Sequence, residues 1–310
     1  MPSVFIDGEA GTTGIEIRNR LARLPVDVHG IDTRLRKDPA ARRVLMAAVD
    51  VAILCLPDDA AREAVQLADT LGSDAPRILD ASTAFRCDPA WAYGFPELNI
   101  SQLERVSYAA RVSNPGCYSQ GAIALLRPLV DAGLLPADYP VTINAVSGYS
   151  GGGRGLIEAH ERDGGPDFEL YALGLEHKHV AEMEHYSGLT RRPLFVPSVG
   201  HFRQGMLVSI PLHLETLPGK PTGTDLHTAL GRRYHDSRHV RVMPQTEDTR
   251  IEATALNYSD MMELFVFTNP ARHHAVLVAR LDNLGKGAAG AAVQNLLLML
   301  GLTEESIPHG

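Results

Sequence analysis

The chain has 310 residues, of which 45% are hydrophobic and 21% charged, so it can build two domains with proper cores and is not disordered. The net charge of -8 and the aromatic content of 6% disfavour nucleic acid as a partner, because such a surface needs positive charge and stacking rings. The three cysteines form no CxxC pair, and no run of about 18 uncharged apolar residues occurs, so we expect a cytoplasmic protein with no signal peptide and no membrane span.

The first eighty residues alternate short apolar runs with helically spaced ones. Strands are predicted over 3–6, 26–31, 51–56 and 77–80, and helices over 14–24, 40–49 and 60–71. Strands and helices that alternate with short connections predict a doubly wound parallel sheet, of the α/β class.

A glycine-rich turn follows the first predicted strand. Residues 8–14 read GEAGTTG, a GxxGxxG spacing related to the GxGxxG dinucleotide fingerprint. Glycines at this turn let the backbone approach a pyrophosphate, which then sits on the helix N-terminus. We predict a dinucleotide site, with a plain structural turn as the alternative. The predicted contacts are Gly8, Gly11, Thr12, Thr13 and Gly14.

The end of the second predicted strand bears on the choice of cofactor. Asp32 lies about where a ribose-binding acid is expected, which favours NAD. Arg34, Arg36 and Lys37 follow it and can hold a 2′-phosphate, which favours NADP; a solvated basic loop is the plain alternative. We predict NADP, with Arg34 among its ligands.

The fourth predicted strand ends at Asp80 and leads into residues 82–86 (STAFR). Open parallel sheets bind ligands at the carboxyl ends of their strands. Arg86 is therefore a candidate anion-binding residue.

Residues 114–118 (NPGCY) are the most informative stretch, because Cys117 follows a Pro-Gly turn and precedes a helix predicted over 119–130. A thiol at a helix N-terminus faces unsatisfied backbone N–H groups and the positive end of the dipole, which favours the thiolate. Cys117 is thus a candidate nucleophile. The alternative is a small buried hydrophobic residue.

The pattern changes after Cys117. Strands are predicted over 141–146, 207–214, 252–256, 263–268 and 275–281, the last three as an antiparallel set. This arrangement predicts a second, α+β domain. A final apolar helix over about 287–302 is predicted to pack back on the first domain.

Three further segments of the second half carry candidate site residues. Residues 147–155 (SGYSGGGRG) lack the GK[ST] ending of a P-loop, but their N–H groups, hydroxyls and Arg154 can bind a carboxylate or phosphate; a flexible turn is the alternative. Residues 283–290 (NLGKGAAG) have glycines that allow close approach to a cofactor. The predicted contacts are Ser147, Gly148 and Arg154 for the substrate, and Asn283, Gly285 and Gly287 for the cofactor.

The third segment, residues 174–183 (GLEHKHVAEM), is dense in histidine and glutamate. A thiolate nucleophile needs an imidazole nearby to take and return protons, which makes His177 and His179 candidates. Surface or capping histidines are the alternative, since the chain has 13. A metal site that includes Glu182 and His185 is a third possibility, but the spacing is not H-E-x-x-H and no cysteine pair supports it, so we expect no metal.

Together these motifs resemble the N-acetyl-γ-glutamyl-phosphate reductase family over nearly the whole chain, in its shorter subgroup. The longer subgroup has a His-x-Pro-Glu-Ile pattern where residues 179–183 read HVAEM, so His179 and Glu182 stay in register without the proline. The resemblance is based on residues 8–14, 80–86, 114–118, 147–154, 177–182 and 283–290.

The resemblance implies a Rossmann-type NADP-binding domain (1–116 and 287–310) and an α+β domain (117–286) of the glyceraldehyde-3-phosphate dehydrogenase-like type, which supports catalysis and oligomerisation. It implies a small-molecule acyl phosphate that is reduced to an aldehyde with release of phosphate, in arginine biosynthesis, and a homodimer or homotetramer.

The resemblance also implies roles for individual residues. Cys117 attacks the acyl phosphate and forms a thioester, and His179 is the acid/base, with His177 in reserve. Asn114 and backbone N–H groups stabilise the oxyanion. Arg86 and Arg154 hold the phosphate and the α-carboxylate in either order, and Glu182 contributes to substrate binding.

Two kinds of alternative remain open. A sibling enzyme, aspartate-semialdehyde dehydrogenase or a reductase of a carrier-protein-bound aminoacyl phosphate, shares the chemistry and differs in its substrate pocket. A dinucleotide-binding sensor without turnover is the second, and it needs neither a reactive thiol nor a base.

Overall fold

The computed structural model of the protein describes residues 1–302, which fall into two compact units. The first unit consists of Met1–Pro96, Ile100–Pro115 and the chain from Ala288 onward. The second consists of Glu97–Asn99 and Gly116–Gly287. The domain boundaries predicted from the sequence fall at 116/117 and 286/287 and do not separate residues 97–99 from the first unit.

The first unit contains a six-stranded sheet whose strands are all parallel, in the order β2-β1-β3-β4-β6-β5. This sheet is the predicted doubly wound one. Its strands are β1 (Ser3–Asp7), β2 (Asp27–His29), β3 (Val51–Leu54), β4 (Arg77–Asp80), β5 (Ala92–Tyr93) and β6 (Arg111–Ser113). Every residue of β3 is buried, as expected for a central strand that helices cover on both faces.

Five helices accompany this sheet: α1 (Thr12–Leu21), α2 (Pro39–Met46), α3 (Asp58–Asp69), α4 (Gln102–Tyr108) and, from the end of the chain, α9 (Gly290–Leu300). Helix α2 begins where expected, since Asp38 accepts hydrogen bonds from the N–H groups of Ala40 and Ala41. Leu296 of α9 packs in one core with Ile6 and Ile53 of the sheet, which confirms the predicted return of the final helix.

The second unit contains a seven-stranded mixed sheet, in the order β11-β12-β13-β10-β7-β9-β8. Its strands are β7 (Thr142–Gly148), β8 (Phe168–Leu170), β9 (Leu194–Gly200), β10 (Met206–His213), β11 (Val240–Val242), β12 (Met262–Asn269) and β13 (His274–Leu281). Its helices are α5 (Cys117–Asp131), α6 (Gly153–Asp163), α7 (Val180–Ser187) and α8 (Gly223–Tyr234). The predicted α+β organisation of this half is confirmed.

Helix α5 lies directly on one face of this sheet. A Cβ on Gly121 would come within 2.9 Å of Val208 in β10 and 3.3 Å of Ala279 in β13, so the contact requires glycine. The OH of Tyr234 in α8 donates to the carbonyl of Ala124, 2.9 Å away. These contacts fix the helix whose first residue is Cys117.

One predicted strand is wrong. Residues 253–258 form turns rather than part of the antiparallel set. Tyr258 has a positive φ of 65°, and its N–H donates to Asp282 at 2.6 Å, while the Asn257 amide donates to the carbonyl of Gln204 at 2.9 Å. Residues 252–256 read EATAL, in which Glu and Ala have low β-propensity, and the tertiary hydrogen bonds at residues 257 and 258 hold the turn instead. Among residues 1–302, no helix is long and apolar enough to span a membrane.

Candidate active site

The predicted dinucleotide turn lies at the carboxyl end of β1, between β2 and β3, where the strand order reverses. Gly8 has a φ of 90°, and a Cβ there would stand 2.3 Å from the carbonyl oxygen of Cys55. A Cβ on Gly14 would stand 2.6 Å from the carbonyl oxygen of Gly8. Both positions require glycine, so the turn is as tight as the sequence predicts.

The N-terminus of α1 suits an anion. The helix begins at Thr12 with Gly11 as its N-cap, its first turn contains no acidic residue, and no side chain caps it. The N–H groups of the first turn, which include those of Thr13 and Gly14, have no intrahelical acceptors, because no helical carbonyl precedes them. Such a donor set fits the pyrophosphate of a dinucleotide.

Arg34 and Asp32 lie on the surface after β2. The Arg34 guanidinium, which is 89% exposed, is 3.1 Å from the Asp32 carboxylate, and its hydrogen bonds lower the pKa of Asp32. An exposed ion pair of this kind contributes little to stability, so Arg34 can change partners at low cost.

The carboxyl end of β4 places a buried acid next to the segment that contains Arg86. Burial raises the pKa of Asp80 to about 6, although the Ser82 hydroxyl donates to the carboxylate at 2.6 Å. Burial also raises the pKa of Cys55 to about 12, with Asp80 and Asp7 adding to the effect. Arg86 is buried and donates to the carbonyl of Ala81 at 3.2 Å. The Cys55 thiol therefore stays protonated at neutral pH.

Cys117 is the first residue of α5, with Gly116 as the N-cap, as the sequence predicts. The Gly116 N–H donates to the Glu182 carboxylate at 2.9 Å, so this buried acid of α7 holds the turn before the thiol. A Cβ on Gly287 would come within 3.0 Å of the Cys117 Cβ, so the backbone of residue 287 forms one wall beside the cysteine.

Both candidate histidines lie at the start of α7, which packs on α5. The ring centroids of His177 and His179 are 4.7 Å apart, and each is 5.9 Å from that of Tyr118, the residue after the cysteine. The Ser119 hydroxyl donates to the carbonyl of His179 at 3.4 Å. Both histidines therefore pack against the two residues that follow Cys117 in the first turn of α5.

His177 is held neutral. Burial, reinforced by the charge of Lys178, lowers the pKa of His177 to about 4. Its Nδ1 accepts a hydrogen bond from the N–H of His179, at 3.1 Å, so the ring proton of the neutral form is on Nε2. His177 is thus a hydrogen-bond donor through Nε2 at neutral pH.

The two tyrosines beside the thiol are protonated. The Tyr118 OH donates to the carbonyl of Ser198 at 3.0 Å and is 3.2 Å from the Tyr171 OH. Burial raises the pKa of Tyr118 well above its ordinary value and that of Tyr171 to about 12. Neither tyrosine is predicted from the sequence as a site residue, although Tyr118 follows the cysteine directly.

The remaining predicted substrate residues differ in exposure. Ser147 is buried at the end of β7, and a Cβ on Gly148 would stand 2.6 Å from the backbone of Arg203, so the chain is tightly packed there. The Arg154 side chain, in contrast, is 78% exposed and pairs with Glu158 at 2.9 Å on α6.

The amide groups of Asn114 and Asn283 have defined partners. Asn114 donates to the carbonyl of Ala288 and accepts from Asn295, at 3.1 Å in both cases. Asn283 accepts from the N–H of Gly205 at 2.8 Å and donates to the Ser150 hydroxyl at 2.9 Å.

Gly285 and Gly287 belong to a π-helical turn, Gly285–Ala289. A Cβ on Gly285 would stand 2.0 Å from the carbonyl oxygen of Ser259. These two glycines therefore pack closely against protein. Their contact with a cofactor stays a prediction.

The residues that the structure describes hold no group of three or more His, Cys, Asp or Glu side chains arranged for a metal ion. Cys55, Cys87 and Cys117 form no disulfide.

Comparison with known proteins places the fold. A family model described as "Semialdehyde dehydrogenase, dimerisation domain" matches residues 117–283, and one described as "Semialdehyde dehydrogenase, NAD binding domain" matches residues 27–106. Among solved structures, the aspartate semialdehyde dehydrogenase of Francisella tularensis matches with a TM-score of 0.74 at 12% identity, over 97% of this chain and 100% of that one. The Candida albicans enzyme, solved with NADP, has a TM-score of 0.68 at 14% identity, over 97% and 98%. The predicted fold class is confirmed, as is a nicotinamide dinucleotide as the class of cofactor.

Curated relatives cover nearly the whole chain. N-acetyl-gamma-glutamyl-phosphate reductase 2 of Nostoc sp. is 51% identical over 98% of this chain and 98% of the relative. The N-acetyl-gamma-glutamyl-phosphate reductase of Chelativorans sp. is 53% identical over 96% and 97%.

Proposed function

Because the chain belongs to the N-acetyl-γ-glutamyl-phosphate reductase family, we propose that it reduces N-acetyl-γ-glutamyl phosphate to N-acetyl-glutamate 5-semialdehyde and phosphate, with NADPH, in arginine biosynthesis. One observation carries the proposal: Cys117 begins α5, and the two histidines of the α7 turn cluster against the same helix. The three cysteines outside disulfides are consistent with the cytoplasm, where we place the enzyme.

The first chemical step belongs to Cys117. Its thiolate attacks the acyl carbonyl carbon, the bond from that carbon to the phosphate oxygen breaks, and a thioester forms as phosphate leaves and takes a proton from water. The N–H groups of the first turn of α5 have no intrahelical acceptors and are the proposed backbone donors to the developing oxyanion, with Asn114 as the proposed side-chain donor. Glu182 supports this step by fixing the Gly116 turn.

We assign different tasks to the two histidines. His177, which is neutral with its proton on Nε2, donates a hydrogen bond without changing charge. His179 is the proposed acid/base: it gives a proton to the oxyanion and takes it back when the aldehyde forms and the thiolate is released.

The bound cofactor supplies the hydride that reduces the thioester carbon. The chain's own contribution is the glycine turn and the α1 N-terminus, which bind the pyrophosphate, and Arg34, which binds the 2′-phosphate of NADP. Because a hydrogen bond to a charged group contributes about 1.5–3 kcal/mol, Arg34→Ala should weaken NADPH binding about 10–100-fold and leave NADH binding unchanged. Equal losses for both nucleotides would contradict this assignment.

Arg86 and Arg154 are the proposed ligands of the substrate phosphate and α-carboxylate, because a guanidinium matches both groups in a bidentate manner. The buried Arg86 and the exposed Arg154 are not equivalent, since a buried charge interacts more strongly. Ser147 and Gly148 complete the proposed substrate residues.

We propose that the enzyme assembles as a homo-oligomer, a dimer or a tetramer, through the sheet face of the second unit that α5 does not cover. This face holds the half-exposed apolar residues Phe168, Leu170 and Val276. The match to a dimerisation domain over residues 117–283 supports a second copy of the chain as the partner that covers this face. Val276→Arg should shift the sedimenting species to the monomer, and Leu103→Arg, an exposed leucine of α4 in the first unit, should not.

The direct test is reduction of NADP⁺ with N-acetyl-glutamate semialdehyde and phosphate, in parallel with aspartate semialdehyde, for the wild type and Cys117→Ser. We expect phosphate-dependent activity on the acetylated substrate alone, and its loss in the variant while nucleotide binding stays intact. Activity on aspartate semialdehyde alone would instead indicate the sibling enzyme. No activity on either, together with slow thiol alkylation, would indicate a sensor.

A further inference from the structure

The second unit contains a fully buried ammonium group close in sequence to the wall beside Cys117. Lys286 is 1% exposed, and its Nζ is 2.8 Å from the Glu97 carboxylate, whose side chain is 8% exposed. Removing two charges from water costs several kcal/mol, and apolar residues of similar size usually stabilise such a position at least as well. Net stability therefore does not explain why this pair is present.

The turn that contains Lys286 contacts the first turn of α5 at two points. The Gln120 amide donates to the carbonyl of Lys286 at 2.8 Å. At the next residue, Gly287, a Cβ would come within 3.0 Å of the Cys117 Cβ, so the two backbones are closely packed. The turn is π-helical, a conformation that is rare and often marks functional sites. Displacement of Lys286 would therefore be transmitted to both residues of α5.

The other end of the ion pair is fixed as well. Glu97 lies in the segment Glu97–Asn99, which belongs to the second unit although its neighbours in sequence belong to the first. The next carbonyl, that of Leu98, accepts a hydrogen bond from Arg233 of α8, and Arg233 also pairs with Asp131 at the end of α5. Glu97 thus provides Lys286 with an anchor that is tied to the helix of the nucleophile.

We propose that Lys286 and Glu97 are a positioning pair for Cys117: their ion pair fixes the π-helical turn, which in turn fixes the orientation of the thiol. The inference rests on the proposed function, since it assumes that Cys117 is the nucleophile. A purely structural pair would contribute to the stability of the unit but leave the reactivity of the folded thiol unchanged.

The test compares this pair with a similar one away from Cys117. The variants are Lys286→Met, Glu97→Gln and the double variant, which leaves no unpaired buried charge and is the one most suited to fold. The control is Arg280→Met, which breaks the Arg280–Glu263 pair of the same unit, with side chains 16% and 10% exposed. For each folded protein we would measure the melting temperature, the nucleotide Kd, kcat and KM, and the alkylation rate of Cys117 by iodoacetamide as a function of pH.

We expect the double variant to lose about 10-fold or more in kcat and in the alkylation rate, with an altered pH profile and an unchanged nucleotide Kd, because sub-ångström misplacement of a reacting group is costly. Arg280→Met should lower the melting temperature and leave the alkylation rate unchanged. A double variant that alkylates and turns over like the wild type would overturn the positioning role. A wild-type thiol no more reactive than that of the unfolded chain would overturn the proposed function itself.

Discussion

A substitution at Gly287 changes the position of Cys117 without replacing any of the proposed catalytic side chains. In Gly287→Ala the new Cβ would stand 3.0 Å from the Cys117 Cβ and 3.0 Å from the carbonyl oxygen of Asp282. Both contacts are shorter than ordinary van der Waals packing, so the cysteine must move by a few tenths of an ångström. Gly287 does not have a positive φ, so alanine meets the close contacts rather than an unfavourable backbone conformation.

Because a misplacement of about 1 Å can cost about 100-fold, a shift of a few tenths of an ångström predicts a loss of about 10-fold in kcat/KM. Overpacking should also lower the free energy of unfolding by about 1–3 kcal/mol. The assay is phosphate-dependent NADP⁺ reduction, together with iodoacetamide alkylation and urea unfolding. The matched control is Gly231→Ala in α8, where nothing lies within 4 Å of the new Cβ, and it should stabilise by about 0.5–1 kcal/mol with unchanged activity. A Gly287→Ala enzyme with wild-type kcat/KM would refute the argument that this wall positions the thiol.

Three further predictions concern other parts of the chain. Burial raises the pKa of Asp80 from 3.8 to about 6, so its stabilising contribution is complete below pH 3.8 and is lost as the pH rises through about 6. As the pH rises from 3.8 to about 6, the free energy of unfolding of Asp80→Asn, measured with urea, should therefore increase by about 3 kcal/mol relative to that of the wild type. A difference that does not depend on pH would contradict this. Because burial lowers the pKa of His177 to about 4, His177→Gln should lower kcat without moving the limb of the pH–rate profile near neutrality, and a displaced limb would contradict this. Gly8→Ala should destabilise the fold by several kcal/mol more than Gly72→Ala, since both have positive φ but only Gly8 also meets a backbone carbonyl; equal losses would show that the φ angle alone matters.

The sequence predicts the first unit well because local signals and tertiary structure agree there. The apolar run of β3 is fully buried, as its composition indicates, and Asp38 caps α2 where a helix start is expected. A Cβ at position 8 or 14 would stand 2.3 Å or 2.6 Å from a backbone carbonyl oxygen, so both positions require glycine. This requirement is why the glycine spacing in the sequence predicts the turn.

The candidate site is only partly readable from the sequence. The Pro-Gly turn before the cysteine predicts a helix N-terminus, and α5 does begin at Cys117. In contrast, Glu97 and Lys286 are 189 residues apart, and their pairing depends on a segment that joins the second unit from within the first. No local pattern encodes such a pair; the only sequence signal is a charged residue within an otherwise apolar stretch. The wrong strand at 252–256 has the same origin, since long-range bonds to Asp282 and Gln204 decide that conformation.

The proposed mechanism depends on a covalent bond between Cys117 and the substrate. The most direct measurement is the intact and peptide mass of the enzyme after it is mixed with N-acetyl-γ-glutamyl phosphate in the absence of nucleotide. We expect one added N-acetylglutamyl group on the peptide that contains Cys117, released by hydroxylamine and absent in Cys117→Ser. An enzyme that reduces this substrate with NADPH and yet never acquires that mass would contradict the covalent mechanism.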